Sequence, residues 1–204
     1  MIAIVDYGMG NLRSVEKALA ALGHEALVTS RPEDIDSADG VILPGVGAFA
    51  DCMENLAAYG LVDSVRDAGL SGRPFLGICL GMQLLFSFGE EGRGFRGLDL
   101  LKGRVRKLSG GPALKIPHMG WNRLTLRGDA PLFKGIAERS YVYFVHSYVV
   151  EPEDPGLVIG TTDYGETVPA AVGWGNLMGV QFHPEKSSAA GLKILKNFAE
   201  MTER

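Results

Sequence analysis

An apolar run, Phe75 to Ile78, leads into Gly77-Ile78-Cys79-Leu80-Gly81 and passes at once into a stretch of helical pattern from Leu80 to Phe88. That order calls for a sharp strand-to-helix elbow. Small neighbours on both sides let strand and helix cross closely, and the turn pushes Cys79 out over the sheet with the amides of the next helix beneath it. A helix N-terminus favours the thiolate, so Cys79 is a candidate nucleophile. Far downstream, Val180-Gln181-Phe182-His183-Pro184-Glu185 sets an imidazole and a carboxylate two residues apart at the end of another apolar run. Cys79, His183 and Glu185 thus form a candidate triad, a constellation that only geometry defines.

The surroundings of the elbow set the fold class. Ile2 to Tyr7, Ala26 to Thr29 and Val41 to Leu43 are further short apolar runs. Between them, Ser14 to Leu22 carries Val15, Ala18, Leu19 and Leu22 on one helical face and closes at Gly23. A second helical region runs from about Ala50 to Ala68 with a break near Gly60. The alternation predicts an α/β fold, with a mostly parallel central sheet flanked by helices and ligands bound beyond the strands' carboxyl ends. In the second half, Arg104 to Leu108, Leu124 to Leu126, Tyr141 to Val150, Leu157 to Thr161, Ala170 to Val172 and Leu177 to Phe182 read as strands. Turns are expected at Gly110-Gly111-Pro112, Glu153-Asp154-Pro155-Gly156 and Trp174-Gly175-Asn176. These predict a more antiparallel extension, closed by a helix over Ala189 to Met201. The triad draws on both halves, so one domain over 1–204 is expected.

Composition narrows the function. The chain has 20 Lys and Arg against 24 Asp and Glu and no basic block, which argues against nucleic acid. Two cysteines, one of them assigned to chemistry, fit a reducing cytoplasm. Met1-Ile2-Ala3-Ile4-Val5-Asp6 lacks a basic leader and reads as a first buried strand, with no signal peptide and no membrane span. Scattered histidines and cysteines offer no zinc spacing, so no metal is expected.

Other features admit two readings each. Gly8-Met9-Gly10-Asn11 follows the first strand but has Arg13 where a dinucleotide loop needs its third glycine, which favours a tight turn braced by Asp6. Pro44-Gly45-Val46-Gly47 is either a plain strand-end turn or, with the amides of Val46 and Leu80, an oxyanion hole. Gln83 lies one helical turn beyond Cys79 and either binds an amide or carboxylate or is a polar residue facing the surface. Cys52 reads as a small buried thiol, so that its replacement by Ala should be silent. His118, in Pro117-His118-Met119-Gly120-Trp121, suits a structured loop at the site's rim, and His146 suits a buried strand or an interface.

The elbow at 77–83, the Pro-Gly-Val-Gly loop at 44–47 and the His-Pro-Glu end at 183–185 together resemble the class I (triad) glutamine amidotransferases. More narrowly, Asp6-Tyr7-Gly8-Met9-Gly10-Asn11-Leu12, Pro117-His118-Met119-Gly120-Trp121-Asn122 and Tyr143-Phe144-Val145-His146-Ser147-Tyr148 resemble the glutaminase subunits of imidazole glycerol phosphate synthases. The resemblance implies that L-glutamine sits over Cys79, held by Gly47, Gln83, Ser147 and Tyr148, with no cofactor. It also implies a separate (β/α)8-barrel cyclase as heterodimer partner in histidine biosynthesis, with Asn11, Tyr143 and Lys186 at the interface near the ammonia tunnel. Low turnover in the free subunit goes with that dependence. A pyridoxal phosphate synthase glutaminase and a catalytically inactive regulatory subunit are the alternatives.

Overall fold

The computed structural model describes residues 1–110 and 114–203. Gly111 and Pro112 of one expected turn lie outside the described residues. The first half runs β1 (Ile2–Val5), α1 (Leu12–Ala21), β2 (Ala26–Thr29), α2 (Pro32–Ser37), β3 (Gly40–Gly45), α3 (Phe49–Ala58), α4 (Val62–Leu70), β4 (Phe75–Cys79) and α5 (Leu80–Leu84). There follow β5 (Phe86–Gly89), β6 (Phe95–Arg96), β7 (Leu101–Lys107), β8 (His118–Arg123), β9 (Thr125–Leu126), β10 (Tyr141–His146) and β11 (Tyr148–Pro152). β12 (Val158–Asp163), β13 (Thr167–Trp174), β14 (Leu177–Val180) and α6 (Ser188–Met201) complete the chain.

The main sheet has the order β2-β1-β3-β4-β14-β13-β12-β9. From β2 to β14 the pairs are parallel, and from β14 to β9 they are antiparallel. Alternation along each parallel strand feeds two cores. Ile2, Ile4 and Ile42 pack with Val15 and Leu19 of α1 and with Ile194, Leu195 and Phe198 of α6. Ala3, Val5, Val41 and Leu43 pack on the opposite face with Ile35, Phe49, Leu56 and Val65 from α2, α3 and α4. Burial on both faces explains why these strands read as continuous apolar runs. Two smaller sheets, β10-β8 and β11-β7-β5-β6, lie beyond the main one. No helix among the described residues is long and apolar enough to cross a membrane.

Three expectations need correction, and α2 was not expected at all. The helix after Cys79 stops at Leu84 rather than Phe88, because the carbonyls of Leu84 and Leu85 accept from the distant amides of Leu98, Leu100 and Leu101 and the chain leaves as β5. Tyr141 to Val150 is two strands in two sheets: β10 pairs with β8, β11 with β7, and the break falls at Ser147. The expected loop at 118–122 is the strand β8. α2 carried too short an apolar pattern to be foreseen, with Ile35 as its one buried residue.

Candidate active site

Cys79 ends β4 with φ 55 and ψ −111, a left-handed conformation that a non-glycine residue adopts only under local constraint. The constraint is close packing of the elbow. A Cβ on Gly81 would lie 1.8 Å from the Leu43 carbonyl oxygen, and one on Gly77 would lie 2.7 Å from the Gly81 carbonyl oxygen. Only glycines let α5 sit this close to β3 and β4. The result is a thiol with 6% residue exposure at the floor of a cavity of about 310 Å³. Around it stand Val46, Gly47, Leu80, Gln83, Glu91, Pro117, Val145, His146, Ser147, Tyr148 and His183.

β14 delivers the other half. It lies beside β4 with Val180 level with Ile78, so the chain leaving it brings His183 over the same sheet edge as Cys79. His183 Nδ1 donates to Glu185 Oε1 at 2.9 Å, and that oxygen also accepts from Asn11 Nδ2 at 3.2 Å. The His183 backbone is pinned as well: its amide donates to the Tyr143 carbonyl, while the Ser187 hydroxyl donates to its carbonyl. His183 Nε2 is buried with no well-aligned hydrogen bond, on a ring that Cys79 still influences. Burial alone would lower the His183 pKa. The neighbouring Cys79 and Glu185 outweigh it and raise the value to about 9.

The other cavity histidine behaves oppositely. His146 is lowered to about 4 by burial first and by the charge of His183, against a raising contribution from the Tyr148 carbonyl. His118 is likewise lowered to about 4, by burial and by His146, 2.9 Å away. His118 is therefore a buried neutral partner of His146, stacked on Phe144 and Tyr164, rather than an open rim group.

The remaining sequence candidates fall into two groups. Gly45 aligns with Cys79 in the β3–β4 register, which places Val46, Gly47 and Leu80 at the thiol's edge of the cavity, with Gly47 at φ +95. Gln83 Nε2 donates to the Tyr148 carbonyl at 3.1 Å and to Gln181 Oε1 at 3.0 Å, so its amide is held from both sides. Ser147 and Tyr148 also line the cavity. Asn11, by contrast, donates to Glu185 and takes a hydrogen bond from Ser14, so it braces the carboxylate behind His183. Lys186 is exposed and Tyr143 is half-buried against Trp121, their rings 5.9 Å apart.

Several residues escaped the sequence. Gln181, fully buried, points its amide at Cys79 Sγ across 3.7 Å, and its signal was a polar residue inside an apolar run. Glu91 is the single carboxylate lining the cavity among the described residues, and it caps α3 by accepting from the Phe49 amide at 2.7 Å. It lay unmarked in a glycine-rich stretch. Exposed Met119 and Trp121 became visible only once β8 was a strand with an outward face.

A buried thiol on a strained elbow beside a carboxylate-bound imidazole is the arrangement of triad acyl-transfer enzymes. Residues 3–201 match the class I glutamine amidotransferase family, and the chain belongs to that family. Within it the chain belongs with the HisH subunits of imidazole glycerol phosphate synthase. The subunit from Moorella thermoacetica is 55% identical over 98% of this chain and 94% of its own, and that from Syntrophotalea carbinolica is 52% identical over 98% and 100%. Among solved structures, one described as a glutamine amidotransferase superposes with a TM-score of 0.77 at 21% identity, covering both chains fully. PurLQS from Thermotoga maritima gives 0.76 at 21% identity, with 98% of this chain and 97% of that chain covered. These two likenesses concern the fold.

Proposed function

We propose that this chain, a single glutaminase domain over 1–204, hydrolyses L-glutamine to L-glutamate and ammonia with Cys79, His183 and Glu185. The ammonia passes to a separate (β/α)8-barrel cyclase, its heterodimer partner, which makes imidazole glycerol phosphate and aminoimidazole carboxamide ribonucleotide in histidine biosynthesis. The observation that carries the reading is the meeting of Cys79 and His183, the latter bonded to Glu185, in one cavity of about 310 Å³. Kinship with HisH subunits supports the partner and the pathway. Both cysteines are free, as suits a reducing cytoplasm.

The chemistry follows from the groups in place. The Cys79 thiolate attacks the side-chain carboxamide carbon, and the amides of Val46 and Leu80 take the charge that develops on the carbonyl oxygen. His183, protonated at neutral pH, gives its proton to the departing nitrogen as the carbon–nitrogen bond breaks. A thioester remains. Neutral His183 then takes a proton from water, hydroxide adds to the thioester, and glutamate leaves as the thiolate reforms. Glu185 keeps the imidazole in the tautomer and orientation this requires. Glu91 supplies the negative charge that suits the α-ammonium of glutamine, while Gly47, Gln83, Ser147 and Tyr148 shape the rest of the pocket.

Cys79→Ala in the reconstituted synthase tests this directly. Glutamine-dependent synthesis should be abolished while added ammonium salt still supports the cyclase. Glutamine-dependent turnover in C79A would end the assignment.

A further inference from the structure

Tyr7 and Cys52 take no part in the chemistry above, yet both reach the loop that carries Val46. Tyr7, just past β1, is fully buried, and its hydroxyl donates to the Pro44 carbonyl at 2.6 Å. Cys52, in the middle of α3, is also fully buried, and its thiol donates to the Val46 carbonyl at 3.4 Å. The two polar atoms lie 3.6 Å apart, a small polar pair inside an apolar core. Burying a phenol and a thiol there costs desolvation that Phe and Ala would avoid. The hydrogen bonds are what the polarity provides.

Their targets are informative. Pro44 O belongs to the peptide plane joining residues 44 and 45, and Val46 O to the plane joining 46 and 47. The plane between them carries the Val46 N–H. With both neighbours held, it can reorient only through the backbone torsions of Gly45 and Val46. The space beside it is filled too: a Cβ on Gly45 would lie 2.8 Å from both the Tyr7 hydroxyl and the Gly81 amide nitrogen.

We propose that the Tyr7 hydroxyl and the Cys52 thiol are positioning groups that set the direction of the Val46 amide toward the reacting centre. This rests on the reading of that amide as an oxyanion donor. Each clamp acts on catalysis without touching substrate. Losing an oxyanion donor outright costs a factor of roughly 10²–10³ in kcat, so loosening its support should cost about tenfold.

The test uses the reconstituted two-subunit synthase. Tyr7→Phe and Cys52→Ala should each lower glutamine kcat about tenfold with KM within about twofold, and Cys52→Ser, which keeps a donor, should recover most of the loss. The double variant should be about as slow as the slower single, because one plane is not released twice. Alkylation of Cys79 by iodoacetamide should proceed at the parent rate in all of them, since displacement at a saturated carbon builds no oxyanion. Ile35→Val, buried away from the site, serves as a stability control and should keep the parent kcat. Parent-like kcat in both single variants would overturn the inference, as would alkylation that falls in step with turnover. Should Tyr7→Phe fail to fold, the comparison of C52A with C52S decides. Residual glutamine turnover in C79A would instead bring down the reading of the site itself.

Discussion

His183 and His146 line one cavity, yet their protonation equilibria move apart. Both pay desolvation on burial, which disfavours the charged form. His183 has Glu185 and Cys79 beside it and rises to about 9; His146 is pushed down to about 4 by its burial and by the charge of His183, which the Tyr148 carbonyl only partly offsets. At neutral pH the site therefore holds one imidazolium, His183, the group that the proposed reaction uses to protonate the leaving nitrogen. The acid form of His183 is present below about 9 and disappears above it. Single-turnover ammonia release, measured against pH on the complex, should accordingly fall through an alkaline limb near 9. Glu185→Gln removes one of the influences that raise the value, so the limb should move toward lower pH and the plateau should drop. A limb that stays in place in E185Q would show that Glu185 does not support the His183 charge. The Cys52 thiol gives a contrasting lesson at this scale. On sequence grounds its replacement should be silent; the proposal built on its bond to the Val46 carbonyl predicts a loss of turnover instead, and C52A decides between them.

Glycines in the elements differ sharply in what they permit. Gly81 faces the Leu43 carbonyl oxygen at a virtual Cβ distance of 1.8 Å, so an added methyl must drive backbone from backbone. Gly23 ends α1 at φ +83, its amide bonded to the Ala20 carbonyl and that of His24 to Leu19, with nothing within 4 Å of a Cβ. Gly81→Ala should lower the urea midpoint by an amount equivalent to roughly 3 kcal/mol or more and abolish turnover, whereas Gly23→Ala should cost about 1 kcal/mol and leave kcat alone. Similar losses in both would refute the packing account of the elbow. The elbow was legible in the sequence because its glycines, nucleophile and flanking runs are all local. So were β1, β3, β4 and α1, where period and propensity agree. The illegible parts share a physical cause. β5 replaced a helical pattern because backbone partners at 98–101 captured the helix end, and Tyr141 to Val150 broke in two because two different sheets claimed its halves. Glu91, Gln181 and Tyr7 gain their meaning from contacts across 37 residues or more of chain, and no window of sequence displays those; the Cys52 bond spans six residues but exists only because the loop after β3 folds back over α3.

At the scale of the molecule, the β8–β10 ribbon joins the cavity to the outside. Its inward residues, His118, Val142, Phe144 and His146, are buried, while the alternate positions turn Met119, Trp121 and Tyr141 outward at 50–61% exposure. Trp121 meets Tyr143 edge to face, and Arg123 lies over the Tyr141 ring. An aromatic face of this kind, left in water beside an active site, is suited to cover by another protein. β10 also holds the proposed triad: the Tyr143 carbonyl accepts from the His183 amide, and its own amide donates to the Ser187 hydroxyl. In the proposed complex, pressure on the ribbon from a docked partner would reach His183 directly through the Tyr143 carbonyl and indirectly through Ser187, a physical route by which a partner would set turnover. Trp121→Ala should raise the Kd for the cyclase by 10- to 100-fold, the loss of about 1.4–2.7 kcal/mol expected of a central aromatic anchor. Isothermal titration calorimetry measures it, and the urea midpoint of the free subunit should stay put because half of Trp121 is already in water. Glutaminase turnover at a partner concentration that just saturates the parent should fall with occupancy in W121A and return when the cyclase concentration is raised. An unchanged Kd would move the docking face elsewhere, and turnover that stays low at full occupancy would make Trp121 part of the coupling route rather than of the anchor.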